Sequence, residues 1–487
     1  MKIAFVSSEV FPYAKTGGLA DVAGSLPIEL AKLGHEVKVF MPNYNSIDHN
    51  KYFINRREDI PEFPVRVGGW DRSVKLYNGF LPNSNVEIIF IDHPYYFHRN
   101  KIYTNNWDED ERFILFQKGM IESLQRLQWK PDIIHCNDWQ TGLISLLVKD
   151  NYKWDRFFDN IAFVYTIHNI AYQGRFGKDT LLRAEIDEKF FNPPGIIEHD
   201  GDVNFMKAAI MMSEVVNTVS NTYAKELLTS EYGAGMENYL KYREQDFYGI
   251  INGIDYDIWN PEKDKLIPYH YSIDNLEGKK KNKQFLVEKF GLSFHEDIPL
   301  IGIISRMVSQ KGFDIIAPIM NDLMKMNIQL VVLGSGESHY QSLFNQFAYY
   351  YPNKVGAYIG FNNELSHLIE AGSDIFLMPS HYEPCGLNQI YSLKYGTVPV
   401  VRKTGGLADT VQDWNEYNSY GMDIGNGFSF YDYSSSALLQ SIKRAVNDFH
   451  NKPVWEKIIR NGMVKDYSWK HSAEEYVDLY KKAVQKI

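Results

Sequence analysis

The chain has 487 residues, of which 44% are hydrophobic and 23% charged, a globular composition long enough for two cores. The formal net charge of −10 argues against a broad electrostatic grip on nucleic acid or on an anionic membrane surface. Two cysteines, Cys136 and Cys385, make no disulfide framework, and the first apolar run is too short for a signal peptide or a membrane span. We therefore expect a cytoplasmic protein.

Short apolar, β-rich runs alternate with helical patterns along the first half of the chain. The predicted elements are a strand at 3–7, a helix at 19–33, and strands at 37–41, 133–136, 162–166 and 215–219. Uninterrupted apolar strands separated by helices are typical of a parallel sheet covered on both faces. The first half is therefore predicted to be an α/β domain.

The second half repeats this alternation. Its predicted strands are 300–304, 329–333, 355–359, 375–378 and 398–401, and a helix at 468–485 follows. That helix has Trp469, Ala473, Tyr476, Tyr480 and Val484 on one face, which predicts a core-packing role. The fold class is thus α/β with two Rossmann-like domains. We predict domains at 1–250 and 262–467, a linker with turn and breaker residues at 251–261, and a final helical segment at 468–487.

A seven-residue segment occurs twice, as Lys15-Thr16-Gly17-Gly18-Leu19-Ala20-Asp21 and unchanged at 403–409. Paired glycines let the backbone approach a ligand, and the helix that follows directs its free N–H groups toward that ligand. Lys15, Gly17 and Gly18 therefore suit a phosphate or a sugar hydroxyl. A tight structural turn is the alternative for a single copy. Two copies, each with a lysine, favour ligand binding in a cleft shared by two related domains.

A second candidate loop, 305–312, directly follows the first predicted strand of the second domain. It contains two cations, Arg306 and Lys311. Because parallel sheets bind ligands at the carboxyl ends of their strands, these cations are placed to neutralise a diphosphate. The alternative is a surface loop with two solvated charges, and the position favours the functional interpretation.

The segment 381–389 follows the predicted strand that ends at Met378. Glu383 can accept hydrogen bonds from sugar hydroxyls, and a helix predicted to begin near Cys385, Gly386 and Leu387 can hold a phosphate at its N-terminus. Cys385 is a nucleophile in principle. Without an adjacent base, we interpret it instead as a small residue in a tight position.

The first domain adds Asp138, His168 and Asn169, which follow apolar strands at the edge expected to carry the glycine loop. These residues could line a sugar pocket. A buried histidine with satisfied hydrogen bonds is an equally good interpretation of His168.

Three other signals are weak. The acidic triplet 108–110 resembles a metal-binding motif of sugar transferases but lies where a helix begins, so acidic capping is preferred. Gly334-Ser335-Gly336 lacks the third glycine of a dinucleotide-binding loop. No zinc-ligand spacing occurs, and we predict no metal site.

Taken together, the motifs resemble the bacterial and plant glycogen/starch synthase family. The similarity extends from Met1 to about Tyr480. The motifs that carry it are Lys15–Val22, His168–Gly174, Asn252–Asp255, Ser305-Arg306, Gln310–Gly312, Glu383–Leu387 and Tyr395–Thr397.

This resemblance implies two Rossmann-like domains facing across a deep cleft (the GT-B fold), with the C-terminal helix returning to the first domain. It implies a retaining glucosyltransferase that moves glucose from ADP-glucose to the non-reducing end of an α-1,4-glucan or maltooligosaccharide. No cofactor, metal, nucleic acid or membrane partner is implied, and the oligomeric state is open.

Site roles also follow from the resemblance, position by position. Lys15, with Gly17 and Gly18, matches the nucleotide-sugar contact, and Arg306 with Lys311 matches the pair on the diphosphate. Glu383 matches the carboxylate near the donor glucose, and His168 the histidine at its 6-hydroxyl. The other matching positions are Asp138, Asn169 and Asn252 in the sugar pocket, Phe361 against the base, and Cys385, Gly386 and Leu387 at the phosphate loop.

Two departures and three rivals accompany this resemblance. Asn388 stands where many members have threonine, and Tyr391 where related retaining transferases have a second glutamate. A stacking ring accepts any base, so Phe361 itself leaves ADP and UDP as alternatives. The rivals are a retaining transferase with a small acceptor, such as one making sucrose or trehalose, a noncatalytic glucan-binding protein, and a nicotinamide dehydrogenase.

Overall fold

The computed structural model describes residues 1–192 and 195–487. These residues form two compact units. Unit 1 comprises Met1–Gly253 and Trp469–Ile487, and unit 2 comprises Ile254–Ser468. Among the described residues, no helix combines the length and the apolar character that crossing a bilayer requires.

The strands follow in chain order. They are β1 (Lys2–Val6), β2 (Glu36–Pro42), β3 (Asn55–Arg56), β4 (Phe63–Val67), β5 (Trp70–Phe80), β6 (Glu87–Asp92), β7 (Ile133–Asn137), β8 (Ala162–Ile167), β9 (Arg175–Phe176), β10 (Glu198–His199), β11 (Asp202–Asn204), β12 (Val215–Thr218), β13 (Phe247–Gly249), β14 (Leu300–Ile304), β15 (Gln329–Gly334), β16 (Val355–Ile359), β17 (Ile375–Met378), β18 (Val398–Arg402) and β19 (Phe428–Phe430).

The α-helices are α1 (Gly18–Lys32), α2 (Pro94–Phe97), α3 (Glu109–Arg126), α4 (Ile144–Asp150), α5 (Thr180–Ala184), α6 (Phe205–Met212), α7 (Asn221–Glu226), α8 (Glu237–Tyr242), α9 (Glu277–Lys289), α10 (Phe313–Ile316), α11 (Met320–Lys325), α12 (Ser338–Tyr350), α13 (Asn363–Gly372), α14 (Asn388–Lys394), α15 (Gly405–Thr410), α16 (Trp414–Ser419), α17 (Ser435–Phe449), α18 (Lys452–Met463) and α19 (Trp469–Val484).

The large sheet of unit 1 has the strand order β13-β12-β8-β7-β1-β2-β6-β5-β3, and β4 pairs with β5. The strands from β13 to β6 are parallel, whereas β3, β4 and β5 add an antiparallel extension. The parallel part confirms the α/β prediction. The extension has no counterpart among the predicted elements, although Gly68 and Gly69, both with positive φ, join β4 to β5 as a hairpin.

The sheet of unit 2 is parallel throughout, with the order β16-β15-β14-β17-β18-β19. Its strands other than the partly exposed edge strand β16 are buried between helical layers. The strands predicted at 300–304, 355–359 and 375–378 match the structure to the residue. In chain order this arrangement reads 3-2-1-4-5-6, the Rossmann topology. The parallel strands of the two large sheets therefore reverse their winding direction once, between β1 and β7 in unit 1 and between β14 and β17 in unit 2.

The last helix, α19, packs against α1 within unit 1. Trp469, Ala473, Tyr476 and Tyr480 are buried as their spacing predicts, but Val484 is exposed in the last turn. The Tyr480 hydroxyl lies 2.8 Å from Nδ1 of His135 on β7. Polar contacts as well as apolar packing therefore hold this helix on the sheet.

His135 makes the stability of unit 1 sensitive to acid. Its Nε2 lies 2.7 Å from Thr166 Oγ1, and burial lowers its pKa to about 3. Because the unfolded imidazole titrates near 6.5, the stabilisation from neutral His135 is complete above that pH and is lost as the pH falls toward 3.

We expect wild type to lose about 1.4 kcal/mol per pH unit below ~6.5 relative to His135→Gln. Urea unfolding of both proteins between about pH 5 and 7.5 measures this difference. Identical pH slopes for the two proteins would contradict the assignment.

Candidate active site

Four loops of unit 2 meet at the carboxyl ends of neighbouring strands. They are 305–312 after β14, 335–337 after β15, 379–387 after β17 and 403–404 after β18. The Met307 N–H donates to Ser335 O (2.9 Å), and the His381 N–H donates to Gln310 O (2.9 Å). Backbone bonds thus fix the loops at the point where the sheet reverses its winding.

Glycines allow these loops to approach one another. Gly312 has φ +84°, and a Cβ added there would overlap the Pro379 carbonyl. Side chains at Gly334 and Gly336 would overlap the carbonyls of Ser305 and Met307. The pair Gly334 and Gly336 therefore braces the loop that carries Arg306.

Lys311 and Glu383 form an ion pair at this edge. Lys311 Nζ lies 2.6 Å from Glu383 Oε2, and the same oxygen accepts a 2.9 Å hydrogen bond from Ser380 Oγ. The Glu383 and Lys311 side chains are 8% and 17% exposed. Two residues singled out from separate sequence motifs are therefore in direct contact.

Arg306 and Phe361 stand apart from this pair. Arg306 is exposed, and its guanidinium forms no ion pair or hydrogen bond with any described residue. The Phe361 ring, which follows the edge strand β16, is 87% exposed. A cation and an aromatic ring are both accessible to a ligand at the carboxyl edge of the sheet.

The second copy of the repeated heptad has a packing role. Side chains at Gly405 and Gly406 would overlap the carbonyls of Glu383 and Cys385, and the Gly406 N–H donates to Glu383 O at 3.1 Å. Lys403 Nζ pairs with Glu416 Oε2 at 2.8 Å. These contacts support the Glu383 loop, so the expectation that both copies offer open glycines to a ligand does not hold for this one.

The segment at 385–387 differs from its prediction in one respect. The helix begins at Asn388, with Leu387 as its N-cap, rather than near Cys385. Gly386 has φ +72°, which glycine adopts without strain. Asn388 Nδ2 donates to Ile304 O (2.9 Å) and ties the helix to the end of β14. Cys385 is a buried thiol, in agreement with its interpretation as a small residue in a tight position.

In unit 1 the first copy of the heptad is open. Gly17 and Gly18 are exposed, and an added Cβ would meet no atom within 4 Å. Gly17 is the N-cap of α1 and provides no side-chain cap, so the first N–H groups of that helix remain available. Lys15 bonds both oxygens of Asp21, at 2.6 and 2.7 Å. The motif thus holds its own lysine across the first helical turn.

Glu9 is a site residue that the sequence interpretation missed. Its carboxylate accepts hydrogen bonds from the Thr16 N–H, from Thr16 Oγ1 (2.6 Å), from the Gly17 N–H (3.2 Å) and from the Tyr103 hydroxyl (2.6 Å). Buried between β1 and the glycine loop, Glu9 fixes the shape of that loop. Its only sequence signal is a carboxylate in the segment that follows β1.

Asp138 and His168 meet beside this loop. Asp138 has φ +56° and accepts the His168 N–H at 2.8 Å. Burial raises the pKa of Asp138 to about 7, and the nearby charge of Glu9 contributes to this rise. Hydrogen bonds from the backbone N–H groups of His168 and Asn169 lower the pKa and offset part of the effect.

His168 bonds Asn137 Oδ1 through Nε2 (2.9 Å), and burial lowers its pKa to about 3, so the ring is neutral. Its Nδ1 has no partner among the described residues. Asn252, which follows β13, is likewise buried with its Oδ1 unpartnered. Polar atoms that can bind a ligand are therefore present at the carboxyl edge of the large sheet of unit 1.

Two adjoining concavities of about 810 and 590 Å³ also lie in unit 1. They share Thr104, Asn105 and Asn106, and exposed aromatic side chains line them. Those aromatic residues are Tyr95, Trp107 and Tyr172. Aromatic faces beside amides suit sugar rings. None of the three was a predicted site residue, although Tyr172 lies in the motif His168–Gly174.

Each carboxylate of the acidic triplet 108–110 forms an ion pair with an arginine. Asp108 pairs with Arg99 at 2.6 Å, Glu109 with Arg112 at 3.0 Å and Asp110 with Arg183 at 2.8 Å. All three lie at the start of α3 as expected. The N-cap Asp108 makes no side-chain capping bond, whereas Asp110 Oδ1 accepts the Glu111 N–H of the first turn at 2.8 Å. Among the described residues, no group of three or more histidine, cysteine or acidic side chains has a metal-binding arrangement.

Comparison with known proteins agrees with this geometry. Residues 2–242 match the family described as starch synthase catalytic domain, and residues 285–462 match glycosyl transferases group 1. The glycogen synthase of Desulforudis audaxviator is 44% identical over all of this chain and 97% of its own length. That of Thermotoga maritima is 44% identical over the full length of both chains.

A solved structure is similar over nearly the whole chain. It is the catalytic domain of starch synthase IV from Arabidopsis thaliana bound to ADP and acarbose. The TM-score is 0.92 at 32% identity, with 99% of each chain covered. The chain therefore belongs to the glycogen/starch synthase family of glycosyltransferases with the GT-B fold.

Proposed function

We propose that the protein transfers glucose from ADP-glucose to the 4-hydroxyl at the non-reducing end of an α-1,4-glucan, with retention of the α configuration. The observation that carries this proposal is the loop 305–312 at the point where the sheet of unit 2 reverses its winding. There Lys311 contacts Glu383 and Arg306 is accessible. Rossmann-like sheets bind nucleotides at this position.

Both the chemistry of the loop and the similar structure indicate the donor. Arg306 supplies a delocalised cation for a diphosphate, and Lys311 a second cation from the same loop. The exposed Phe361 ring offers a face to the base. The Arabidopsis enzyme of the similar structure was solved with ADP, which favours ADP over UDP as the carrier here.

The proposed reaction exchanges one bond to the anomeric carbon for another. The bond from C1 of glucose to the β-phosphate oxygen breaks, and the bond from C1 to the acceptor O4 forms on the same face. The acceptor hydroxyl proton passes to the departing diphosphate. Arg306 and Lys311 stabilise the negative charge that develops on that group. The Ser380 hydroxyl donates to Glu383 and holds its carboxylate in position to accept a hydrogen bond from a sugar hydroxyl.

The acceptor surface is proposed to be the pair of concavities in unit 1, where exposed aromatic rings stand beside amides. We expect Tyr172→Ala to raise KM for maltooligosaccharides about 10-fold and to leave KM for ADP-glucose unchanged. Trp154→Ala is the matched control, because Trp154 is exposed but lines neither concavity. Equal acceptor KM values for the two variants would remove Tyr172 from the acceptor surface.

A direct test offers ADP-glucose and UDP-glucose separately with maltooligosaccharides. It measures diphosphate release together with the length of the glucan product. The proposal predicts one added glucose per ADP released, with ADP-glucose the better donor. A small-acceptor transferase would leave the oligosaccharide length unchanged, and a noncatalytic glucan-binding protein would release no diphosphate.

Glu9 is expected to act on the donor through the glycine loop. Glu9→Gln replaces a charged acceptor of four hydrogen bonds with an amide, so we expect kcat/KM for ADP-glucose to fall about 10-fold or more. Glu29→Gln on α1, which removes only an exposed contact with Lys32, is the control. Wild-type kcat/KM in Glu9→Gln would show that the loop does not depend on this carboxylate.

A further inference from the structure

The C-terminal half of α12 has an unusual surface. Residues 341–353 include no charged side chain, although 23% of the chain is charged. Tyr349 and Tyr350 are 79% and 71% exposed, and Asn345 and Gln346 are exposed beside them. We call these four residues the α12 face. Exposed aromatic rings framed by neutral amides indicate a binding surface rather than a solvated helix face.

Helical spacing makes the α12 face continuous. Asn345 and Tyr349 are four residues apart, as are Gln346 and Tyr350, so each amide neighbours a ring. The two tyrosine rings lie 5.3 Å apart at 79°. Neither tyrosine hydroxyl forms a hydrogen bond with a described residue. The opposite side of the helix supplies the core residues Tyr340 and Phe344, so packing does not account for the outward tyrosines.

The chemistry of this surface selects its ligand. It has no cation to neutralise a phosphate or a nucleic-acid backbone, and without any charge it forms no ion pair with a peptide. A neutral polyhydroxylated chain fits, because sugar rings present C–H faces to aromatic rings and hydroxyls to amides. We propose that the α12 face is a second binding site for α-glucan. This inference rests on the proposed function, which makes an α-glucan the acceptor.

The site is distinct from the phosphate-binding edge of unit 2. The loop before α12 contacts Met307 through Gly336, whereas Tyr349 lies eleven residues into the helix, ~17 Å farther along its axis. A branched polymer bound at the α12 face keeps its chain ends at a high local concentration. A short oligosaccharide occupies one site at a time and gains nothing from the second.

The test uses the double variant Tyr349→Ala/Tyr350→Ala in the full chain. In native gels containing glycogen, we expect its apparent dissociation constant to be about 10-fold higher than that of wild type. KM for glycogen should rise similarly, while kcat and KM with maltotriose stay at wild-type values. Tyr349→Phe/Tyr350→Phe keeps both rings and should retain most of the binding. Tyr242→Ala, at a 78% exposed tyrosine between Lys241 and Arg243, is the control.

Several results would overturn the proposal. Wild-type glycogen retardation in the alanine variant would do so, as would an equal loss in the phenylalanine variant. The same holds if the α12 face joins two copies of the chain, seen as a dimer that dissociates in the alanine variant with glycogen binding unchanged. Failure of wild type to elongate maltotriose would instead refute the proposed activity, because gel retardation needs no catalysis.

Discussion

Arg306→Ala lowers kcat about 100-fold or more, because it removes a fixed cation from the developing charge of the leaving diphosphate. The free energy of unfolding changes by only about 0.5 kcal/mol, since the guanidinium is exposed and has no partner among the described residues. Steady-state rates with ADP-glucose and maltooligosaccharide, together with urea unfolding, separate the two effects.

Arg460→Ala is the matched control for this variant. Arg460 is an exposed arginine of unit 2 on α18, and its one ion pair within the described residues is a long contact of 3.9 Å with Asp274. It should keep wild-type kcat. Near-native turnover in Arg306→Ala would mean that the leaving group is stabilised elsewhere.

Lys311→Ala has a second consequence that Arg306→Ala lacks. It removes the partner of Glu383, whose carboxylate then stays buried without a counter-charge. Leaving a buried charge unpaired costs about 3 kcal/mol or more. We therefore expect this variant to lose both turnover, again about 100-fold, and stability. The sequence motifs contain both Lys311 and Glu383 but do not indicate that the two side chains pair.

A double variant separates the two losses. In Lys311→Ala/Glu383→Gln the buried charge is gone, so most of the lost unfolding free energy should return while kcat stays low. Urea unfolding and kcat of the four proteins in the cycle measure this. If the double variant is as unstable as Lys311→Ala, the ion pair is not the cause of the loss. If it regains turnover, neither residue acts on the donor.

The parallel sheets could be predicted because their strands are recognisable from the order of residues along the chain. The runs at 300–304 and 375–378 are short, continuous and apolar, which favours strands of a sheet that is covered on both faces. The antiparallel β5 lacks that signal, because it is half-buried and mixes polar with apolar residues. Its one cue is the Gly68-Gly69 turn before it.

The candidate site was predictable where a residue follows a strand. Arg306, Glu383 and Asp138 all do so, and strand order then brings loops together at the winding reversals. Contacts formed within irregular loops were not predictable. The bonds of Glu9 to the glycine loop depend on how the chain turns after β1.

The repeated heptad shows most clearly how far local sequence can predict structure. Its two copies are identical in sequence, yet Gly17 faces open space and Gly405 lies against the Glu383 loop. The difference arises from the neighbouring segment, which no local sequence pattern describes.

The central claim is that cations on the 305–312 loop hold the diphosphate, and nucleotide binding tests it most directly. Calorimetric titration should show wild type binding ADP more tightly than AMP, because only ADP has the second phosphate. Arg306→Ala should lose about 10-fold or more in ADP affinity and little in AMP affinity. If the variant binds ADP as tightly as wild type, with the same preference over AMP, the account is wrong.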